Sequence, residues 1–173
     1  MSTSSHSKRA ARIRLLLMDC DGVLTDGRIY LLDDGREMKS FSVRDGQGLV
    51  LWHRAGGLSG VLSGRASLAL DARARELGIH FVRQNVDDKI ATFESLLADT
   101  DLLAEEVAFI GDDLADVPLL QRVGFAIAVA DACIEARRAA HYVTKAAGGH
   151  GAVRELIELL LRAQKKWRPL IAR

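Results

Sequence analysis

The chain has 173 residues, which suits one domain with a sizeable core, and its 49% hydrophobic and 27% charged residues are those of an ordinary globular protein. A formal net charge of +1 argues against binding nucleic acid or a membrane surface by bulk electrostatics, and no apolar run approaches the roughly 20 residues of a bilayer span. The two cysteines lie far apart, without metal-type spacing, and predict a reducing, cytoplasmic location.

The N-terminal region contains an arm and then the first buried strand. Residues 1–11 are polar, basic and rich in serine, and they predict a disordered arm. The apolar run Leu15 to Met18 predicts a strand buried on both faces of a parallel sheet. Asp19, Asp21 and Asp26 follow it, at the sheet edge where open α/β folds bind ligands. Carboxylates at this density favour a hard cation such as magnesium.

The rest of the chain alternates between strand and helix patterns. A hairpin is predicted within residues 28–43, around the turn Asp33-Asp34-Gly35, and Asp45 is the predicted N-cap of the next helix. Further strands are predicted at 57–62, 79–82, 107–111, 125–129 and 142–144, and helices at 44–54, 66–77, 87–97, 116–122, 134–140 and 152–167. Residues 168–173 form a predicted tail, free or docked on a neighbouring subunit, since Pro169 cannot continue the helix.

This order predicts a single α/β domain over residues 12–167. The expected architecture is a Rossmann-like three-layer sandwich with a central, mainly parallel sheet, a small hairpin insertion and no cap domain.

Polar side chains follow four of the predicted strands, and the topology brings them to one sheet edge. Carboxylates for a metal, a hydroxyl with backbone amides for an anion, and a lysine together describe a phosphate site. Phosphoryl transfer needs these parts, and an aspartate can itself be the nucleophile. The groups are Asp19 and Asp21, then Ser63-Gly64-Arg65, then Lys89, then Asp112, Asp113 and Asp116.

In order and spacing these motifs resemble the four motifs of the haloacid dehalogenase superfamily of phosphatases, most closely its small capless branch. The likeness runs from about residue 12 to residue 165. The matching stretches are Asp19-x-Asp21-Gly22-Val23-x-Thr25-Asp26-Gly27, Ser63-Gly64-Arg65, Lys89, Gly111-Asp112-Asp113-x-x-Asp116, Val43-Arg44-Asp45-Gly46-x-Gly48 and Gly148-Gly149-x-Gly151.

The resemblance implies a magnesium site and a nucleophile. Asp19 would attack phosphorus and bind Mg²⁺. Asp21 would bind the ion through its carbonyl oxygen, while its carboxyl protonates the leaving alcohol and later deprotonates water. Asp112 would complete the metal ligands.

The same resemblance assigns the remaining polar groups of the site. Ser63 and the Gly64 amide would hold phosphoryl oxygens, and Lys89 would neutralise the aspartyl phosphate. Asp113 would act through water or by orienting a ligand. For Asp116 two roles stay open: it orients Lys89, or it is a solvated residue one turn into a helix.

The implied substrate is a sugar-acid phosphate, with 3-deoxy-D-manno-octulosonate 8-phosphate, a lipopolysaccharide precursor, preferred. A nine-carbon sugar-acid 9-phosphate is the alternative, because Val50 and His150 stand where the branch usually carries basic residues. The substrate-binding residues implied by the resemblance are Asp21, Ser42, Val43, Arg44, Asp45, Gly46, Gly64, Arg65, Arg73 and Lys89.

A capless site cannot exclude water alone, and the resemblance implies a homotetramer whose neighbouring subunits close each pocket. The apolar hairpin residues Ile29 to Leu32 suit a buried interface, and Trp167 and Leu170 suit a docked tail.

Two readings from other functional classes remain open. A signalling receiver domain also combines acidic residues, a lysine and magnesium, but its middle strand would end in aspartate, where this chain has Ser63. A non-catalytic assembly module of the same fold would not need the complete set of acidic residues, serine and lysine that this chain carries.

Overall fold

A six-stranded, wholly parallel sheet forms the centre of the protein. The structure is a computed structural model and describes residues 3–172. The strands are β1 (Leu15–Met18), β2 (Tyr30–Leu31), β3 (Glu37–Met38), β4 (Leu58–Leu62), β5 (Phe81–Arg83), β6 (Val107–Gly111), β7 (Phe125–Ala128) and β8 (Tyr142–Val143). The helices are α1 (Thr3–Arg12), α2 (Val43–Arg54), α3 (Leu68–Leu77), α4 (Lys89–Thr100), α5 (Val117–Arg122), α6 (Ile134–Ala139), α7 (Ala152–Ala163) and α8 (Trp167–Ile171).

Strand β1 lies inside the sheet, whose strand order is β5-β4-β1-β6-β7-β8, and it determines where the site lies. All four of its residues are buried, which explains why it is apolar on both faces. Met18 is in register with Val61 of β4 on one side and Ile110 of β6 on the other. The residues that follow these three strands therefore emerge together at one edge, and the predicted fold class is confirmed.

The helices form two groups around the sheet. Helices α1, α2 and α7 pack together, and α5 contacts both α4 and α6. Helix α7 buries apolar residues at helical spacing, including Val153, Leu156 and Leu160. Among the described residues, none of the helices combines the length and the apolar character that crossing a membrane requires.

The N-terminal region differs from its prediction. Residues 3–12 form α1 rather than a disordered arm, while Met1 and Ser2 lie outside the described residues. Ala10 is fully buried as α1 packs against α7, and the Gln164 amide donates to the carbonyl oxygen of Ile13 at 2.8 Å. This stabilisation comes from a distant part of the chain, so the polar local sequence does not reveal it.

The C-terminal region also differs. Helix α7 ends at Ala163, and Lys165 has a left-handed backbone with φ 60°. Most of the predicted tail is the short helix α8, where Pro169 lies in the first turn and its missing N–H is tolerated. Trp167 is buried against its own subunit, with the guanidinium of Arg162 4.9 Å from its ring centre. Arg173 lies outside the described residues.

The predicted hairpin is present as the antiparallel pair β2 and β3, with Tyr30 opposite Met38. It leads into α2, whose N-cap is Ser42, since the Ser42 hydroxyl accepts from the Asp45 backbone N–H at 3.4 Å. The prediction that Asp45 itself caps α2 was wrong.

Candidate active site

A buried aspartate and a buried lysine form the centre of the site. Asp19 is the first residue after β1, and its backbone N–H donates to the carbonyl of Ile110 at 3.0 Å, which fixes it to β6. Lys89, the first residue of α4, lies with its Nζ 2.6 Å from Oδ1 of Asp19. Both residues are almost inaccessible to solvent. Oδ1 of Asp19 is therefore paired with the lysine.

Asp116 holds the lysine and shapes the adjacent loop. Its Oδ1 accepts from Lys89 Nζ at 2.6 Å, and its Oδ2 accepts from the backbone N–H groups of Asp112 at 2.8 Å and Asp113 at 3.3 Å. A Cβ on Gly111 would lie 2.5 Å from Asp116 Oδ2, so only glycine leaves room for this carboxylate. Asp116 is 1% exposed, and the structure supports its orienting role over the solvated one.

Negative charge is concentrated beside this pair. Asp19, Asp112 and Asp116 each place a carboxylate oxygen within 4.8 Å of the others. Burial, followed by the charges of Asp19, Asp116 and Asp113, raises the pKa of Asp112 to about 8. Burial likewise raises the pKa of Asp19 to about 6, although Lys89 opposes the shift.

The remaining member of the cluster is cationic. Burial alone would lower the pKa of Lys89, but the neighbouring carboxylates of Asp19 and Asp116 raise it, so the lysine stays charged. One lysine does not balance the three carboxylates of Asp19, Asp112 and Asp116. Oxygen ligands with unbalanced negative charge are what a hard divalent cation such as magnesium requires.

The loop after Asp19 is held by its own backbone and by the glycine-rich turn of residues 148–151, which lies far along the chain. The N–H groups of Val23, Leu24 and Thr25 all donate to the carbonyl of Cys20. Gly149 donates from its backbone N–H to the Val23 carbonyl at 2.9 Å. A Cβ on Gly148 would lie 1.7 Å from the carbonyl oxygen of Gly22, so the turn approaches this loop as closely as glycine permits.

Gly22 itself is required by two features of the site. Its φ of 94° is in the left-handed region, and a Cβ there would lie 2.1 Å from Asp112 Oδ2. Asp26, in contrast, lies away from the acidic cluster and accepts from the hydroxyl of Tyr30 at 2.9 Å. Asp26 therefore shapes the entry to the hairpin and does not add to the cation site.

Asp21 is paired with a hairpin lysine that the sequence analysis missed. The Asp21 carboxylate contacts Nζ of Lys39, which also lies 2.9 Å from Oε1 of Glu37. Burial lowers the pKa of Lys39, but its bonds to these two carboxylates outweigh burial and raise it overall. The available signal was the spacing: Glu37 begins β3 and Lys39 directly follows it, and side chains two residues apart along a strand face the same side.

Ser63 and Gly64 begin the loop after β4. The Ser63 hydroxyl donates to the Arg65 carbonyl at 2.9 Å and accepts from the Arg65 backbone N–H at 3.3 Å, which makes a tight turn. Ser63 is buried, while Gly64 and Arg65 are exposed. The loop lies beside Asp19 because β4 and β1 are neighbours in the sheet.

Comparison with known proteins identifies the family. Residues 73–156 match the haloacid dehalogenase-like hydrolases. The 3-deoxy-D-manno-octulosonate 8-phosphate phosphatase of Yersinia pestis is 45% identical over 92% of this chain and 85% of its own. The chain belongs to the haloacid dehalogenase-like hydrolase family. The resemblance inferred from its motifs is thereby confirmed.

Solved structures of relatives share the fold of this hydrolase throughout. The Moraxella catarrhalis 3-deoxy-D-manno-octulosonate 8-phosphate phosphatase, crystallised with a magnesium ion, a phosphate ion and a KDO molecule, aligns with a TM-score of 0.97. It is 38% identical, and the alignment covers 99% of this chain and 98% of that one. The cobalt-bound Haemophilus influenzae enzyme aligns with a TM-score of 0.88 at 38% identity, over 91% and 92% of the two chains.

The predicted substrate residues of the hydrolase fall into two groups. Val43 and Arg44 are exposed at the start of α2. The Ser42 carbonyl accepts from the guanidinium of Arg73 at 3.4 Å, and a Cβ on Gly46 would lie 2.2 Å from the same group. Arg73 therefore packs tightly on the first turn of α2.

Asp45 has a structural role that the sequence analysis did not predict. It is 2% exposed, and its carboxylate accepts from the backbone N–H groups of Gly151 at 3.2 Å and Arg154 at 2.7 Å. The side chain caps α7, and the substrate contact that the resemblance implies for this residue stays a prediction. Val50 and His150 are the two positions where the capless branch usually carries basic residues and this chain does not. Val50 is half-buried in α2, and His150 is exposed in the glycine-rich turn.

Proposed function

We propose that this hydrolase is a magnesium-dependent phosphomonoesterase that cleaves 3-deoxy-D-manno-octulosonate 8-phosphate into the free sugar acid and phosphate. The observation that carries the proposal is the buried arrangement of Asp19, Lys89 and Asp116 beside Asp112. Support for the substrate comes from the Yersinia relative's name and from the magnesium, phosphate and KDO in the Moraxella relative.

The acidic cluster suits the cofactor. Asp19, Asp112 and the backbone carbonyl of Asp21 would hold Mg²⁺, whereas both oxygens of Asp116 are already occupied by Lys89 and two backbone amides. Bound magnesium supplies electrostatic stabilisation of the phosphoryl oxygens.

The first chemical step forms a covalent phosphoenzyme. The oxygen of Asp19 that Lys89 leaves free attacks phosphorus, and a new P–O bond forms as the P–O bond to the sugar breaks. Asp21 donates its proton to the departing sugar oxygen, so the alcohol leaves neutral. Ser63 and the Gly64 amide hold the phosphoryl oxygens, and Lys89 offsets the charge on Asp19.

The second step returns the protein to its starting state. Asp21, now a carboxylate, takes a proton from water as the water oxygen attacks phosphorus. The P–O bond to Asp19 breaks, phosphate leaves, and both aspartates regain their original protonation. Asp21 thus serves as acid and then as base, which requires its carboxyl to keep one position through both steps.

A substrate screen with one variant pair tests this function. Steady-state phosphate release with Mg²⁺ is compared for the eight-carbon ester, a nine-carbon sugar-acid 9-phosphate and glucose 6-phosphate. We expect kcat/KM for the eight-carbon ester to be at least about tenfold higher, which corresponds to about 1.4 kcal/mol of discrimination. Asp19→Asn should abolish turnover while remaining folded, and Asp33→Asn, an exposed hairpin aspartate, is the matched control.

Two results would reject parts of this function. Turnover by Asp19→Asn near the wild-type rate would remove Asp19 from the role of nucleophile. Preference for the nine-carbon ester would keep the chemistry and change the substrate.

We also propose that the hydrolase is a homotetramer whose neighbouring subunits complete each site. The hairpin region supports this, because large apolar side chains there are exposed: Ile29 by 56%, Leu31 by 71%, Met38 by 49% and Val43 by 81%. Light scattering should give the mass of four chains, and Leu31→Glu should dissociate them and lower kcat/KM. Leu103→Glu, at an exposed leucine after α4, is the control. A wild-type monomer at assay concentration contradicts the proposal.

The proposed setting is the cytoplasm. Both cysteines, Cys20 and Cys133, are free thiols, as expected in a reducing compartment. Fractionation of cells that produce the protein tests this, and recovery from the periplasm would refute it.

A further inference from the structure

A chain of alternating charges connects the hairpin to both sides of the site. It runs from the Asp21 carboxylate to Lys39, from Lys39 to Glu37, and from Glu37 to the guanidinium of Arg65. Asp21 follows β1, Lys39 and Glu37 belong to the hairpin, and Arg65 follows Ser63 after β4. The hairpin therefore links the loop of the proposed acid and base to the loop of the proposed phosphate contacts.

Lys39 is the centre of this chain and is enclosed by it. Its side chain is 3% exposed, compared with 25% for Asp21 and 20% for Glu37. With so little of the side chain exposed, its ammonium is satisfied by two protein carboxylates and not mainly by solvent. If any one of these three side chains lost its contacts, its partners would keep charges without compensation. The positions of Asp21, Lys39 and Glu37 are therefore strongly constrained.

Arg36, a neighbouring cation of the same hairpin, behaves differently. Its Nε lies 2.6 Å from Oδ2 of Asp34, and its side chain is 77% exposed. An exposed pair of this kind contributes little and does not constrain other residues. The contrast indicates that Lys39 is directed at the site, whereas Arg36 is only a surface residue.

We propose that Lys39 is a positioning residue for the reaction: through its contacts to Asp21 and Glu37 it holds the Asp21 carboxyl in one place relative to the phosphate loop. This inference rests on the proposed function and names a role for the hairpin within it. Asp21 must deliver a proton to the leaving oxygen in the first step, and a loosely held carboxyl does so poorly. Lys39 itself exchanges no proton with the substrate.

The dependence on leaving group separates this role from a merely structural one. An alkyl phosphate releases a poor leaving group that needs the proton from Asp21, whereas 2,4-dinitrophenyl phosphate releases a phenolate that does not. The kcat/KM value reports steps up to the first irreversible one, before water attacks the phosphoenzyme. Misplacing Asp21 should therefore reduce kcat/KM for the alkyl ester selectively.

The experiment measures kcat/KM for 3-deoxy-D-manno-octulosonate 8-phosphate and for 2,4-dinitrophenyl phosphate with Mg²⁺. General acid catalysis contributes about 10²- to 10⁴-fold, so Lys39→Met should lose roughly 10- to 100-fold on the sugar ester and less than about threefold on the aryl ester. Lys39→Arg, which keeps the charge, should recover most of the loss. Arg36→Met is the matched control and should change neither value.

The outcomes are distinguishable. Equal losses on both esters with Lys39→Met, or no loss on either, overturn the positioning role while leaving the proposed function intact. Wild-type protein that hydrolyses neither ester overturns the proposed function, and this inference with it. If Lys39→Met does not fold, Glu37→Gln provides the comparison: a selective loss on the sugar ester supports the role, and an unselective or absent loss overturns it.

Discussion

Replacing Asp45 with alanine tests whether this residue supports the fold or contacts the substrate. The resemblance to the family assigns it to the substrate pocket, whereas its carboxylate is buried and bonded to the N-terminus of α7. The glycine-rich turn ends and α7 begins at this carboxylate. Asp45→Ala should therefore destabilise the protein and leave KM largely unchanged.

The magnitude follows from the bonds that are lost. The carboxylate accepts from Gly151 N–H at 3.2 Å and from Arg154 N–H at 2.7 Å, and hydrogen bonds to charged groups contribute about 1.5–3 kcal/mol each. Burial raises the pKa of Asp45, so part of this gain offsets desolvation. We expect a net loss of about 2–4 kcal/mol on the scale of such bonds and N-caps. At roughly 2–4 °C per kcal/mol, the Tm should fall by roughly 5–15 °C.

Thermal and urea unfolding of the variant, with steady-state kinetics, provide the assay. Asp88→Ala is the matched control for stability: Asp88 also accepts from two N–H groups at a helix start, those of Ile90 at 2.8 Å and Ala91 at 3.0 Å, but it is exposed. Its loss should cost only about 1 kcal/mol. An Asp45→Ala protein with wild-type Tm and a strongly raised KM would refute the capping role and restore the substrate contact.

Three further outcomes are expected. Asp116→Asn should lower kcat by roughly 10- to 100-fold with a smaller effect on KM. The reason is that the Lys89 ammonium loses a charged partner, and a misplaced lysine weakens contacts to the transition state. An unchanged kcat contradicts the orienting role of Asp116. Without metal, the contribution of Asp19 and Asp112 to the free energy of unfolding should fall as pH rises. The reason is that the pKa of Asp19 is raised from 3.8 to about 6 and that of Asp112 from 3.8 to about 8. Their contribution to stability is complete below pH 3.8 and is lost by about pH 8. Mg²⁺ should therefore raise Tm most above pH 8 and least near pH 4, and a Tm increase independent of pH argues against a site at these carboxylates. Burial raises the pKa of the Cys20 thiol to about 12, so iodoacetamide should leave it unmodified in the folded protein, and mass spectrometry of the digest checks this.

The sequence predicts the parts of the molecule that depend on local pattern. The fully apolar β1 identifies a central parallel strand, and the acidic residues after β1 and β6 identify a cation site at the sheet edge. The spacing of Asp116 places it near Lys89 but leaves its role open. Only the packing that buries Asp116 selects between orientation and solvation.

The features that the sequence does not reveal depend on distant partners. Asp45 resembles an N-cap because it lies near the start of α2, yet it caps α7, far along the chain. Lys39 resembles a solvated hairpin residue until the hairpin is folded over Asp21. Helix α1 forms from a polar segment because α7 supplies the surface against which Ala10 is buried.

The bond between the Gly149 amide and the Val23 carbonyl has a consequence for synthesis on the ribosome. The proposed nucleophile, the other acidic residues and the lysine of the site all precede residue 149 in the chain. A nascent chain that stops short of the glycine-rich turn would carry every one of those side chains without the backbone that shapes the loop between them. Catalytic competence is therefore expected to arise late in translation, and fragments released early should be inert toward the phosphate esters of the cell.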